Sequence, residues 1–339
     1  MKKSILLWSA LMIVSCSGAQ QSNKATKNSP EKYLKTITAS ELKTHLYIVA
    51  DDNMEGRQTG EPGQKRAGKY LIDQYTKMGV SHPPAATNFY QVVPASFMNA
   101  RRGKLKDSEN IWAFVEGSEH PDEIIVISAH YDHVGMENSE VFNGADDDGS
   151  GTVALLEMAE AFIKAKKDGN GPKRSILFLH VTGEEHGLHG SRFYSENPLY
   201  PLANTVADIN IDMIGRRDNL HPNTNNYVYV IGSDRLSTEL HTITNEVNDK
   251  YIKMDLDFRF NARDEPNRYY FRSDHYNFAK NGVPSVFLFN GVHDDYHKIT
   301  DTPDKIEYDA LEKRTQLAFM IAWELANRKD RIKVDRDGQ

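Results

Sequence analysis

Runs that read as β-strand, at Glu123 to Ser128, Ser175 to Val181, Val206 to Ile211, Tyr227 to Ile231 and Ser285 to Phe289, alternate with stretches of helical periodicity. The first run is almost wholly apolar, which suits a strand covered on both faces. Strand and helix alternating at this spacing restrict the chain to one class: α/β, a three-layer α/β/α domain on a central mixed, mostly parallel sheet. Two earlier runs, Phe89 to Val93 and Ile111 to Val115, add strands to it.

The helical stretches carry their own punctuation. Thr38-Ala39-Ser40-Glu41 has capping-box spacing ahead of Leu42, Leu46 and Val49. A second helix, through Ala67, Leu71, Tyr75 and Met78, stops at Gly79, and Met54 to Gly63 between the two reads as a glycine-punctuated loop. Val153, Leu156, Ala159 and Ile163 mark a third helix, and an amphipathic helix over Ala310 to Asn327 closes the domain. Met158, Phe162, Met320 and Trp323 keep helical spacing and read as core.

Acidic residues and histidines stand where the predicted strands end: Ala129-His130-Tyr131-Asp132, Thr182-Gly183-Glu184-Glu185-His186-Gly187, and Ile211-Asp212. Two further segments, Gly144-Ala145-Asp146-Asp147-Asp148-Gly149-Ser150-Gly151 and Asp295-Tyr296-His297, bring more of the same. In open α/β sheets ligands gather outside the carboxyl ends of the strands, so these segments converge on one rim. They offer oxygen and nitrogen ligands for cations plus a carboxylate left over to move protons, which is what a metal-dependent hydrolase needs.

The length of 339 residues suits one large domain, with 39% hydrophobic residues for a core and 26% charged residues for a solvated surface. A formal charge of −7 with no compact basic block excludes nucleic acid as a partner. At the start, Lys2 and Lys3 precede an apolar stretch from Ile5 to Val14 that meets Ser15 and Cys16, the layout of an export signal too short to span a bilayer. Ile13-Val14-Ser15-Cys16 resembles the bacterial lipobox, so Cys16, the only cysteine, is expected to carry a lipid that anchors an exported protein to the cell envelope. The expected organisation is a lipoprotein-type signal at 1–16, a flexible polar tether at 17–32 and a single domain at 33–330.

Taken in order, His-Tyr-Asp, Gly-Ala-Asp-Asp-Asp-Gly-Ser-Gly, Gly-Glu-Glu, Ile-Asp-Met-Ile-Gly and Tyr-His resemble the co-catalytic zinc aminopeptidases of peptidase family M28. These are related to bacterial leucine aminopeptidases and glutamate carboxypeptidase and share the zinc-exopeptidase, phosphorylase/hydrolase-like fold. The resemblance covers roughly Thr38 to Asn327 and extends to Arg272-Ser273-Asp274-His275. It implies two zinc ions, one held by His130 and Asp212, the other by Glu185 and His297, with Asp147 bridging them. It also implies that Asp132 supports the free ring nitrogen of His130, that Glu184 is the general base, that Tyr296 donates to the oxyanion, and that Asp274 contacts substrate. His133, His186, His189, His275 and His293 are left off the metal set. The implied activity is removal of N-terminal residues from peptides. A carboxypeptidase, a glutaminyl cyclase-like transferase and a non-catalytic binding lipoprotein of the same fold are the alternatives.

Overall fold

The computed structural model describes residues 29–100 and 103–338. The expected signal at 1–16, the Cys16 lipidation site and the tether through residue 28 lie outside the described residues. Glu31–Leu34 is a short helix, so the last two residues of the expected tether, Glu31 and Lys32, belong to a regular element. At the other end the chain past residue 330 stays on the body. Arg331 donates to the carbonyls of Ala203 and Thr205, both at 2.7 Å, and the Gly338 N–H reaches the Arg235 carbonyl at 3.1 Å.

Ten strands occur among the described residues: β1 (Tyr90–Val93), β2 (Ser108–Val115), β3 (His120–His130), β4 (Met136–Glu137), β5 (Glu140–Val141), β6 (Arg174–Val181), β7 (Thr205–Ile211), β8 (Tyr227–Ile231), β9 (Asp255–Asp257) and β10 (Ser285–Phe289). Eight form one sheet in the order β1-β2-β6-β3-β7-β10-β8-β9, while β4 and β5 make a separate ribbon. The central strands β6, β3, β7 and β10 run parallel to one another, and antiparallel pairs occur at β1/β2, β2/β6 and β8/β10. The sheet is mixed, as the alternating pattern requires.

Why the central strands are apolar throughout is visible in their packing. Side chains alternate across a strand, and on β3 Ile125, Ile127 and Ala129 enter one core cluster while Ile124 and Val126 enter another. On β6 the same division separates Ile176 and Phe178 from Leu177, Leu179 and Val181. Helices Ala39–Val49, Gly151–Lys167 and Tyr308–Asn327 contribute to the first cluster, and Tyr194 of helix His189–Glu196 with Phe278 of helix His275–Ala279 to the second. Each such aliphatic or aromatic side chain contributes on the order of 1.5–3 kcal/mol by leaving water.

The helix signals read in the sequence act as expected. Thr38 caps Ala39–Val49 by accepting from the Glu41 N–H, and Gly79 ends Pro62–Met78 in the left-handed conformation. The loop between them is more regular than its glycines suggest. Asp52–Arg57 forms 3-10 turns, kinked where Glu55 and Gly56 take positive φ, and the kink turns Arg57 into the interior.

One core residue gives a pH-dependent signature. Glu157, on the buried side of helix Gly151–Lys167, has its carboxyl pushed up to about 8 by burial, with Glu41 and Glu160 adding to the shift. The folded state thus keeps a proton that the unfolded chain releases near pH 4.5. Stability falls as pH rises from that value and levels off once the folded pKa is passed. Glu157→Gln, a permanently neutral stand-in, should melt progressively above wild type across this window in thermal scans. A gap that stays constant with pH would refute the assignment.

Candidate metal centre

The parallel order of β6, β3 and β7 sets His130 level with Val181 and Ser128 level with Asn210. Their carboxyl ends open on one rim, and the chain's next residues there include Asp132, Glu184, Glu185 and Asp212. β10 runs beside β7 in the same direction, and Tyr296 and His297 lie in the loop beyond it. Neighbouring glutamates on a continuing strand would point to opposite faces. Here the strand has ended: Gly183 takes φ +65°, and the chain turns so that the Glu184 carbonyl accepts from Gly187 and Leu188.

The three consecutive aspartates divide their tasks. Asp146 accepts the Gly215 N–H at 2.6 Å on one oxygen and faces His293 Nε2 at 3.0 Å with the other. Asp148 accepts the N–H groups of Gly151 at 2.9 Å, the first residue of the helix that follows, and of Met213 at 3.0 Å on one oxygen. Asp147 is the one whose two oxygens both approach imidazoles of the rim. Its loop is held by Asp301, whose carboxylate accepts the N–H groups of Asp146 and Asp147, and by the buried Arg57. Arg57 spends its guanidinium on four carbonyls, those of Val49, Tyr131, Asn143 and Gly144, at 2.7–3.0 Å. Gly144 has φ +53°, and a Cβ there would stand 2.5 Å from the His133 ring. Across the rim Arg314, equally buried, ties the carbonyls of Ile214 and Arg216 just past Asp212.

The two oxygens of Asp147 face different neighbours. Oδ1 is 3.2 Å from His130 Nε2, which is itself 3.5 Å from Asp212 Oδ1. Oδ2 is 2.9 Å from His297 Nε2, which is 3.0 Å from Glu185 Oε2. The remaining oxygen of Asp212 accepts from Ser273 at 2.6 Å, and Ser273 accepts in turn from Asn210 at 2.7 Å, so the inward oxygen is aimed by a buried chain. These donor atoms suit cations by a direct test. His130 Nε2, His297 Nε2, Asp147 Oδ2 and Glu185 Oε1 are buried and none is in hydrogen-bond geometry, although they crowd together. Ligand atoms close enough to share an ion form two groups, His130 with Asp148 and Asp212, and His133 with Asp147 and Glu185. In the first of these Asp148 already has one oxygen on two backbone N–H groups, and Asp147 Oδ1 is the better placed carboxylate.

Electrostatics agree with a site that wants positive charge. Burial works to raise Asp147, yet His130 and His297 overcome it and hold the carboxyl well below the usual range. His297 is pushed up to about 10, its burial outweighed by Asp147 and Glu185. Glu184, turned into the cleft, has its carboxyl raised by burial and by the charges of Asp212 and Glu185, with His130 opposing. Tyr296 stacks on His297 with ring centres 3.8 Å apart, and burial beside Asp147 and Glu185 raises its hydroxyl, which stays a donor at neutral pH.

Two expectations need correction, and one residue outside the expected ligand set comes close to it. Asp132 does not receive the free ring nitrogen of His130 on its carboxylate, which lies 3.9 Å away; His130 Nδ1 meets the Asp132 backbone carbonyl at 3.0 Å. The carboxylate instead accepts from Thr59 at 2.6 Å and from the Glu184 N–H at 3.3 Å, because the chain bends after β3. Asp274 is fully buried, accepts from Ser191, has its carboxyl pushed up to about 7 by burial, and is not among the residues that line the cleft. His133, left off the ligand set, comes 2.7 Å from Glu185 Oε1. Its spacing of three residues past His130, just beyond a strand end, was the signal available. Nothing local in the sequence distinguishes Arg57, Asp301 or Arg314 from surface charges.

A family model described as "Peptidase family M28" matches residues 110–322, more than half of the chain. A "Probable leucine aminopeptidase" of Trichophyton verrucosum is 29% identical over 212 residues, 60% of this chain and 55% of that protein. The chain thus spans about half the length of the curated relatives it matches. Among solved structures, the LapA aminopeptidase of Legionella pneumophila superimposes with a TM-score of 0.69 at 21% identity, over 97% of this chain and 81% of that one. Porphyromonas gingivalis glutaminyl cyclase does so with a TM-score of 0.64 at 19% identity, over 84% and 97% respectively. Both structures share the fold.

Proposed function

This chain belongs to peptidase family M28, and from that premise we propose that it is an aminopeptidase working with two zinc ions. His130, Asp212 and Asp147 would hold one ion, and Asp147, Glu185 and His297 the other. One observation carries the reading: the two oxygens of a single buried carboxylate, Asp147, face separate groups of ligand atoms. Bound zinc would supply a Lewis acid for the scissile carbonyl and lower the pKa of the attacking water.

The protein's own groups do the rest. Glu184 borders the cleft without a place in either ligand group, so it is free to take a proton from the attacking water and deliver it to the departing amine. Tyr296, whose hydroxyl keeps its proton, donates to the oxygen on which negative charge develops. The carboxylates of Glu184 and Asp212 line the same cleft and attract the ammonium of a free peptide N-terminus. Export and lipid anchoring through Cys16 complete the proposal and rest on the N-terminal sequence alone.

The test is an assay of the zinc-loaded protein on leucyl-p-nitroanilide and its N-acetyl counterpart, with metal counted after dialysis. A free amine should be favoured by at least about 100-fold, and chelation should abolish turnover. Cleavage of N-acetylated peptides from a free carboxyl end would assign a carboxypeptidase instead, and cyclisation of N-terminal glutamine a transferase. Two bound zincs without turnover would point to a binding protein.

A further inference from the structure

The cleft beside the carboxylates has apolar walls, Met213, Phe287, Phe289 and Val292 among them, and one basic side chain, Arg272. Every other arginine discussed near the centre is committed. Arg57 and Arg314 hold backbone carbonyls, and Arg216 pairs with Asp295 at 2.9 Å. Arg272 is exposed, and among the described residues no carboxylate pairs with it. It is nonetheless held in place. Its N–H donates to the Tyr269 carbonyl at 3.0 Å, and its guanidinium carbon lies 5.2 Å from the centre of the Tyr269 ring. Tyr269 packs in turn on Phe260 and Phe289, with ring centres 4.6 and 5.2 Å away. The cation is thus fixed by an aromatic stack, and its charge is left for whatever enters the cleft.

A planar guanidinium presents paired donors that match a carboxylate. Glu184, outside both ligand groups, borders the same cleft and attracts the substrate ammonium. An entering peptide therefore meets a carboxylate and an unpaired guanidinium in one cleft. We propose that Arg272 is a specificity residue that recognises a carboxylate on the substrate, an inference that rests on the aminopeptidase reading above. Two sources supply that group: the side chain of an N-terminal glutamate or aspartate, and the terminal carboxylate of a short peptide such as a dipeptide.

Matched substrate pairs separate them. Glutamyl- and glutaminyl-p-nitroanilide differ only in the side-chain carboxylate, and Leu-Gly and Leu-Gly-amide only in the terminal one. For the zinc-loaded protein, the kcat/KM ratio within one pair should favour the carboxylate. Arg272→Gln should reduce that ratio at least tenfold, and Arg272→Lys should restore part of it. The pair that responds identifies the source. Both ratios staying within twofold of wild type in Arg272→Gln would overturn the proposal, however far the overall rates fall, since a purely structural role lowers both members of a pair alike. Should no free-amine substrate be turned over, the aminopeptidase reading fails by itself. The same ratios, measured as dissociation constants by calorimetry with Leu-Gly, Leu-Gly-amide, glutamate and glutamine, then decide the Arg272 contact without catalysis.

Discussion

Glu184→Gln is expected to lower kcat by about 10²- to 10⁴-fold, the usual contribution of a positioned general base, while zinc content and melting temperature stay at wild-type values. The separation follows from the geometry. Glu184 borders the cleft with Asp147, Asp212 and Tyr296, whereas the close imidazole–carboxylate approaches involve Asp147, Glu185 and Asp212. Glutamine keeps the size of the side chain and removes only its capacity to accept a proton. The measurement pairs steady-state kinetics with metal analysis of the same preparation. A kcat within tenfold of wild type would remove Glu184 from the mechanism, and loss of zinc would make it a ligand.

Asp147→Ala should act on both halves of the centre at once. Removing the carboxylate that faces His130 on one side and His297 on the other should reduce bound zinc from two ions per chain to one or none. Metal supplies several kcal/mol of transition-state stabilisation, and at tenfold per about 1.4 kcal/mol the activity should fall by about a thousandfold or more. A thermal readout accompanies it. Zinc at 100 times its dissociation constant stabilises a native site by about 2.7 kcal/mol, so wild type should melt several degrees higher with zinc than with chelator. Asp147→Ala should lose most of that difference. Retention of two tightly held ions would show that the carboxylate does not bridge.

The elements legible beforehand were those decided by local pattern. Leu42, Leu46 and Val49 behind the Thr38 cap, the helix ended by Gly79, and the strand at Tyr227–Ile231 stand where periodicity and capping placed them. The sheet order is a different matter, since β8 runs antiparallel to β10 and no residue in either strand announces it. At the rim, His130, Glu184, Glu185 and Asp212 were legible because each lies at or just past a strand end. The choice among three adjacent aspartates followed from resemblance, and its physical basis emerged only when Asp146 and Asp148 were found engaged by Gly215, Gly151 and Met213. The orientation of Asp132 and the burial of Asp274 were not legible. Both depend on which way the chain bends after a helix or strand has ended.

What the amino-acid order determined by itself was the set of elements and the chemical kind of the rim: period-two and period-3.6 burial are local properties, and acids or histidines just past apolar strands must emerge at one edge of a parallel sheet. What only the tertiary structure decided was which atoms meet. Asp147 is presented by Arg57 and Asp301, the inward oxygen of Asp212 by Ser273, and Arg272 by Tyr269, through contacts between residues far apart in the chain. The physical reason is that a side chain's direction is set by the backbone path and by the hydrogen-bond partners that burial forces it to find.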